Sequence, residues 1–150
     1  TWVDIGSSFL PGELTAAFLW AQMQEADSIT KKRLEIWNEY HLKLEKLETL
    51  KIIKRPKISN NCKHNAHMYY LILKSEKVRR DFIAYMQKNG IFCTFHYVPL
   101  HSSPHYAKYK KSLELPVTTE ISRRLVRIPM WIGIEKKIDY VVDTFNKFLI

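Results

Sequence analysis

From residue 11 to about residue 49 the chain has no glycine or proline after Gly12 and is rich in Ala, Leu, Glu, Lys, Gln and Met, all strong helix formers. Apolar residues recur at Leu14, Ala17, Phe18 and Ala21, then at Ile29, Ile36, Tyr40, Leu44 and Leu47. That spacing predicts helix with a buried stripe. Pro11 suits the first helical position and Glu13 the third, where a carboxylate favours the helix amino terminus. One unbroken helix of this extent would be ~55 Å long at about 1.5 Å per residue, more than a small domain covers. It therefore either bends near Asp27 and Ser28 or bridges to something beyond this chain.

After Pro56 the periods shorten. His67 to Leu73 is aromatic and β-branched and reads as a strand buried on both faces. Val78, Phe82, Tyr85 and Met86 mark an amphipathic helix between Ser75 as N-cap and Gly90 as stop. Ile91 to His96 is the next strand, so the order strand, helix, strand predicts a βαβ unit or its split variant. A short helix is expected around His105 to Lys111, and another from Thr118 or Thr119 to about Leu125. Arg127-Ile128-Pro129-Met130 reads as an edge strand, where proline is tolerated. Ile134, Ile138, Val141, Val142, Phe145 and Phe148 predict a terminal amphipathic helix. The fold class is α/β (α+β): a small sheet packed with helices and attached to one long helix.

Composition narrows this to one core. A chain of 150 residues that is 46% hydrophobic has little room for two independent domains. It has no apolar run of the ~18 residues that span a bilayer and no signal pattern at the start, which points to a soluble, cytoplasmic protein without a membrane partner. Cys62 and Cys93 are too few for a disulfide framework and read as small core residues. The net charge of +9 raises nucleic acid as a partner, but the basic residues lie in small groups interleaved with acids, the pattern of a solvated surface.

Candidate chemistry concentrates in Phe95-His96-Tyr97-Val98-Pro99-Leu100-His101, where a proline ends an apolar strand carrying two histidines and a tyrosine. Cys62, His64, His67, Cys93 and His96 have ligand chemistry for zinc, but their spacings match no common site, and no metal is expected. A Cys93/His96 or Cys93/His101 nucleophile pair is weaker still, because a thiol inside an apolar strand is inert. Tyr69, Tyr70, Phe92, Phe95 and Tyr97 would suit a sheet that stacks single-stranded nucleic acid, although no ribonucleoprotein motif accompanies them.

Four ordered motifs decide between these readings. Gly6-Ser7-Ser8-Phe9-Leu10-Pro11-Gly12-Glu13-Leu14-Thr15-Ala16-Ala17-Phe18-Leu19-Trp20-Ala21-Gln22, Gly90-Ile91 followed by His96-Tyr97-Val98-Pro99-Leu100-His101, Leu115-Pro116-Val117-Thr118-Thr119-Glu120, and Arg127-Ile128-Pro129-Met130-Trp131 resemble, in order, the signatures of the DegT/DnrJ/EryC1/StrS aminotransferases. The resemblance spans essentially the whole chain. It implies the carboxy-terminal part of a fold-type I pyridoxal 5'-phosphate-dependent transferase, with residues 1–50 as helix-entry turn and long interdomain helix and 51–150 as the small domain. The large domain, with the lysine that holds the cofactor, would be absent, so no catalytic residue is assigned here and the chain alone should be inactive.

The resemblance also implies roles for a few positions. Ser8 stands where the family commonly has an asparagine that reaches the cofactor phosphate of a neighbouring subunit, and Ser7 lies beside it at a helix entrance that favours anions. Leu10 replaces a usual arginine. His96 and Tyr97 are expected to meet the sugar nucleotide, and His101 to bind it or shape the loop; Asn65 and His67 are weaker candidates. The implied partners are glutamate, a dTDP-sugar and a second subunit, with no nucleic acid. Thr1-Trp2-Val3-Asp4-Ile5-Gly6-Ser7-Ser8 and Asn65-Ala66-His67-Met68 look most like family members that aminate dTDP-4-keto-6-deoxyglucose.

Overall fold

The computed structural model describes residues 3, 6, 10–108 and 114–150. Helices α1 (Glu13–Gln24), α2 (Ala26–Lys43) and α3 (Glu45–Thr49) follow one another almost without interruption. Then come β1 (Tyr69–Ile72), α4 (Glu76–Lys88), β2 (Thr94–Phe95), α5 (Pro104–Lys108), α6 (Pro116–Arg124), β3 (Leu125–Ile128) and α7 (Ile138–Leu149). The sheet order is β1-β3-β2, with β3 antiparallel to both neighbours. β1 and β2 are thus parallel to each other, joined by α4 and separated by β3, which is the split form of the βαβ unit.

Strand alternation fixes which residues enter the core. Tyr69 and Leu71 on β1 lie opposite Ile128 and Val126 on β3, and all four are buried. Helices cover that face: Ile36, Tyr40, Leu44 and Leu47 from α2, α3 and the junction between them, Phe82 and Met86 from α4, and Ile138, Val141, Val142 and Phe145 from α7. Phe82 meets Phe145 and Phe148 edge-on at 5.2 and 5.6 Å. The core draws on both sides of residue 50.

Local signals end α4 as expected. The Ser75 hydroxyl accepts from the Val78 amide at 3.2 Å. At the other end Ile91 N–H reaches Met86 C=O and Gly90 N–H reaches Gln87 C=O, with Gly90 at φ +71°. These are the paired bonds of a Schellman stop, which needs the left-handed residue that glycine supplies most cheaply.

Several expectations change. The long helix breaks at Glu25 and Leu44 rather than at Asp27 and Ser28. α1 starts at Glu13 with Gly12 as its cap, so Glu13 is its first residue rather than its third. Its predicted stripe is not buried: Leu14 is 90% and Phe18 69% exposed, and the described residues bury no residue of this helix. β3 is the central strand rather than an edge, and Pro129 lies just beyond it. This proline also explains why β1 and β2 are shorter than predicted. In the observed register Pro129 would pair with Met68 on one side and Phe92 on the other, and it has no N–H to offer the ladder. β1 is buried on one face only, since Tyr70 and Ile72 are half-buried on the other. α6 begins at Pro116 instead of being capped by Thr118 or Thr119. Cys62 is exposed, so only Cys93 is a core thiol.

The chain entering the sheet is anchored electrostatically. Burial pushes the Glu48 carboxyl up, but hydrogen bonds from the Arg55 amide and Nε, both 2.8 Å, outweigh it and hold the group below its usual range. Arg55 Nη1 donates to the His41 carbonyl. The His41 ring stacks on Trp37 and shares a 3.0 Å hydrogen bond with the Tyr69 hydroxyl. Burial and then the Arg55 charge lower its pKa.

Phe82→Ala should cost about 3–5 kcal/mol in urea unfolding, whereas Phe18→Ala on the uncovered helix should stay within about 0.5 kcal/mol. Tyr40 is fully buried and its hydroxyl has no hydrogen-bond partner among the described residues. Tyr40→Phe should therefore leave stability unchanged or raise it by up to about 1 kcal/mol. His41 binds protons less readily folded than unfolded, so stability should fall as pH drops below about 6.5. Glu48 loses its paired form lower, as pH falls through its depressed folded value. Replacing His41 by Gln should make the pH 7 to 5 part of the curve shallower without flattening it, because His96 is depressed in the same direction.

Candidate functional site

Because Val126 and Ile128 face the core, Arg127 between them must lie on the opposite, open face of the sheet. Its neighbours across the ladder are Tyr70 on β1 and Thr94 on β2. Arg127 is half-buried, its Nε is shielded from solvent without a hydrogen-bond partner, and no carboxylate pairs with it among the described residues. A guanidinium in that state is held at a cost that an oxyanion would offset.

His96 follows Thr94 by two residues on the same face. Burial lowers its pKa first, and the nearby charges of Arg127 and His67 lower it further, so the imidazole is neutral at pH 7. Its Nδ1 also lacks a partner among the described residues. His67 is positioned by α2: Arg33 Nε donates to the Ala66 carbonyl at 3.0 Å and Arg33 Nη2 to the His67 carbonyl, while Asn65 Oδ1 accepts from the His67 amide at 3.1 Å. These bonds hold Ala66 at φ +48°, a left-handed conformation an alanine seldom adopts unaided. His67, Thr94 and Arg127 line a cavity of about 220 Å³ whose remaining wall includes Phe92 and Trp131. It is a surface with cationic and neutral donors at one end and aromatic rings at the other.

The remaining candidates are distributed differently. Tyr97 is 71% exposed, sits at φ +31°, and meets the His96 ring edge-on at 4.9 Å. A tyrosine at positive φ is a strained choice of the kind found near binding sites. His101 is turned away into a 3.0 Å hydrogen bond between its Nε2 and Thr119 Oγ1, which ties the 3-10 turn Leu100–Ser102 to α6. Ser7 and Ser8 lie outside the described residues.

Cys93 is buried, and burial pushes its thiol up to about 12. Cys62 is exposed and His64 packs edge-on against Trp37, so the histidines and cysteines weighed for zinc are not brought together. Among the described residues no three His, Cys, Asp or Glu side chains are placed to hold a metal ion. Tyr69 is in the core and offers no stacking surface. Among the same residues no helix is long and apolar enough to cross a membrane.

Arg127 and Arg33 were not singled out from the sequence as site residues. Arg127 carries a usable signal, an arginine set between apolar strand positions ahead of a proline. Arg33 carries none, since it resembles any helix-surface arginine.

With this geometry in view, comparison with known proteins identifies the class. The DegT/DnrJ/EryC1/StrS aminotransferase family matches residues 3–146, and the chain belongs to it. A Methanocaldococcus jannaschii protein, MJ1066, is 28% identical over 96% of this chain and 37% of its own length. A dTDP-4-dehydro-2,3,6-trideoxy-D-glucose 4-aminotransferase of Saccharopolyspora spinosa is 23% identical over 96% of this chain and 36% of its own. DesV of S. venezuelae, solved with a ketimine intermediate, superimposes with a TM-score of 0.77 at 23% identity over 89% of this chain and 35% of that one. The fold is accordingly part of the fold-type I transferase fold. The chain spans little more than a third of the length of the curated relatives it matches. Aminotransferases of this family use pyridoxal 5'-phosphate. Family membership favours the aminotransferase reading over a nucleic-acid-binding domain.

Sulfate keeps its charge between pH 8 and 5.5, and its binding can be followed on the Arg127 Nε–H resonance. Affinity should rise several-fold as pH falls through the depressed titration of His96, because the imidazolium adds a positive charge. His96→Gln should flatten that rise, and Arg127→Gln should weaken sulfate about tenfold.

Proposed function

We propose that this chain is the carboxy-terminal segment of a pyridoxal-phosphate-dependent nucleotide-sugar aminotransferase, and that the open sheet face holds the anionic part of the sugar nucleotide. The half-buried, unpaired Arg127 carries this reading. Its guanidinium meets diphosphate oxygens, neutral His96 donates to phosphate or sugar oxygens, and His67 borders the cavity at Arg127, while Tyr97 adjoins this site only through its edge-on contact with His96. His101 acts indirectly, keeping the loop that carries His96 and Tyr97 against α6.

The finer assignment is transfer of an amino group from glutamate to C4 of dTDP-4-keto-6-deoxyglucose, within surface polysaccharide biosynthesis in the cytoplasm. The motifs at residues 1–8 and 65–68 support this substrate. When bound, the cofactor supplies the electron sink that lets an amino group pass between glutamate and a keto sugar. Ser8, with Ser7, contributes hydroxyls to its phosphate at the entrance to α1. Residues 1–50 serve as the interdomain connection and 51–150 as the small domain. The active sites are shared within a homodimer, and the lysine that holds the cofactor belongs to a large domain outside this chain.

The test compares this 150-residue chain with the same chain continuous with its large domain. Given glutamate, cofactor and dTDP-4-keto-6-deoxyglucose, the former should form no amino sugar and the latter should. In the active protein Arg127→Gln should raise KM for the sugar nucleotide about tenfold or more, with a smaller change in kcat. Turnover by the chain alone, or an unchanged KM, would refute the assignment.

A further inference from the structure

A second half-buried guanidinium lies elsewhere in the fold. Arg79 on α4 donates from Nη1 to the Ser122 carbonyl of α6 at 3.1 Å, and its guanidinium carbon sits 5.5 Å from the centre of the Phe95 ring. Its Nε is shielded from solvent, and among the described residues it has no hydrogen-bond partner and no carboxylate pairs with it. α4, α6 and the chain leaving β2 enclose a cavity of about 240 Å³ here, lined by Arg79, Arg123, Phe95, Tyr97, Val98 and Pro99 together with hydroxyl residues. This cavity shares no lining residue with the one at Arg127. Phe95 and Thr94 alternate along β2, so the two lie on opposite sides of that strand.

The cavity's charge is one-sided. No carboxylate lines it. The nearest, Glu76, is 4.0 Å from Arg123 Nε and 4.0 Å from Arg80 Nη1, so one exposed acid is divided at long range between two guanidiniums. The hydroxyls are already committed: Ser102 donates to Pro99 C=O, Ser122 to Thr119 C=O, and Thr119 is bonded to His101. The donors left for a ligand are the two guanidiniums and Tyr97, while Phe95, Val98 and Pro99 form an apolar wall.

We propose that this cavity binds a small organic oxyanion, a carboxylate or phosphate carried on a ring-sized apolar body. The oxyanion lies between Arg79 and Arg123, and the body rests on Phe95 and Pro99. Two cationic forks and a flat apolar wall fit that combination better than a bare inorganic ion, which would leave the wall in water. The site goes beyond the sugar-nucleotide reading and does not depend on it.

The test is a nitrogen-15 NMR titration of the whole chain with phenyl phosphate, benzoate and inorganic phosphate, read on the Arg79 Nε–H and Tyr97 amide resonances. Phenyl phosphate or benzoate should shift both saturably, and the stronger of the two identifies phosphate or carboxylate as the preferred head group. Inorganic phosphate should bind about tenfold more weakly. Arg123→Gln, at an exposed position, should weaken the organic anion about tenfold without unfolding the protein, whereas Arg127→Gln should leave it unchanged. Should Arg79→Lys fold poorly, Phe95→Leu provides a second variant and should reduce the preference for phenyl over inorganic phosphate. Absence of a saturable shift, equal affinity for inorganic and phenyl phosphate, indifference to Arg123→Gln, or loss on Arg127→Gln would each overturn the proposal.

Discussion

The structure depends on the four residues of β3. As the middle strand it is laddered to a strand on each side, and its alternation commits Val126 and Ile128 to the core and Arg127 to the open face. Shifting its register by one residue would drive the guanidinium into a cluster formed by Tyr69, Leu71, Phe82 and Phe145, where an unpaired charge is not tolerated. Pro129 then stops the ladder on both flanks at once. Short strands, a fixed register and an arginine held on the outer face all follow from this one tetrapeptide and the proline after it.

The open face and α1 share a second constraint, which is that apolar surface is left without cover. Besides Leu14 and Phe18, Trp20, Phe92 and Trp131 are exposed, far more large apolar side chains than a small self-contained domain normally leaves in contiguous patches. α1 is uncharged from Leu14 to Gln24, so it has no polar side to turn toward water. Such surface suits a chain that matches little more than a third of its relatives' length. Sequence periodicity can say that a stripe will be buried, but not whether the partner that buries it lies within the same chain. That is why the stripe from Ile36 to Leu47 was legible and the one from Leu14 to Ala21 was misassigned.

The same limit separates the readable from the unreadable parts of the site. α4 was legible to the residue because Ser75 and Gly90 act locally, through a hydroxyl and a left-handed backbone. A proline beside β3 predicts an edge strand, and only pairing on both sides shows that Pro129 falls outside the ladder. His96 and Tyr97 were visible as a motif, but the grouping of His67, His96 and Arg127 joins three segments far apart in sequence. Arg33 depends entirely on tertiary structure, since its role is to bond the carbonyls of Ala66 and His67, more than thirty residues away.

His96 and Tyr97 are adjacent in sequence and touch edge-on, yet they serve different sides of β2. His96 is on the Arg127 side of β2, whereas Tyr97, through its positive φ, contributes to the wall shared by Arg79 and Arg123. The positive φ of Tyr97 costs conformational energy that the surrounding structure must hold in place. His101 stabilises the arrangement from behind: its bond to Thr119 holds the loop against α6, and α6 leads directly into β3 and Arg127. The strand exit and the central strand are in this way one mechanical unit, with the loop, α6 and the ladder closing a circuit around the two histidines.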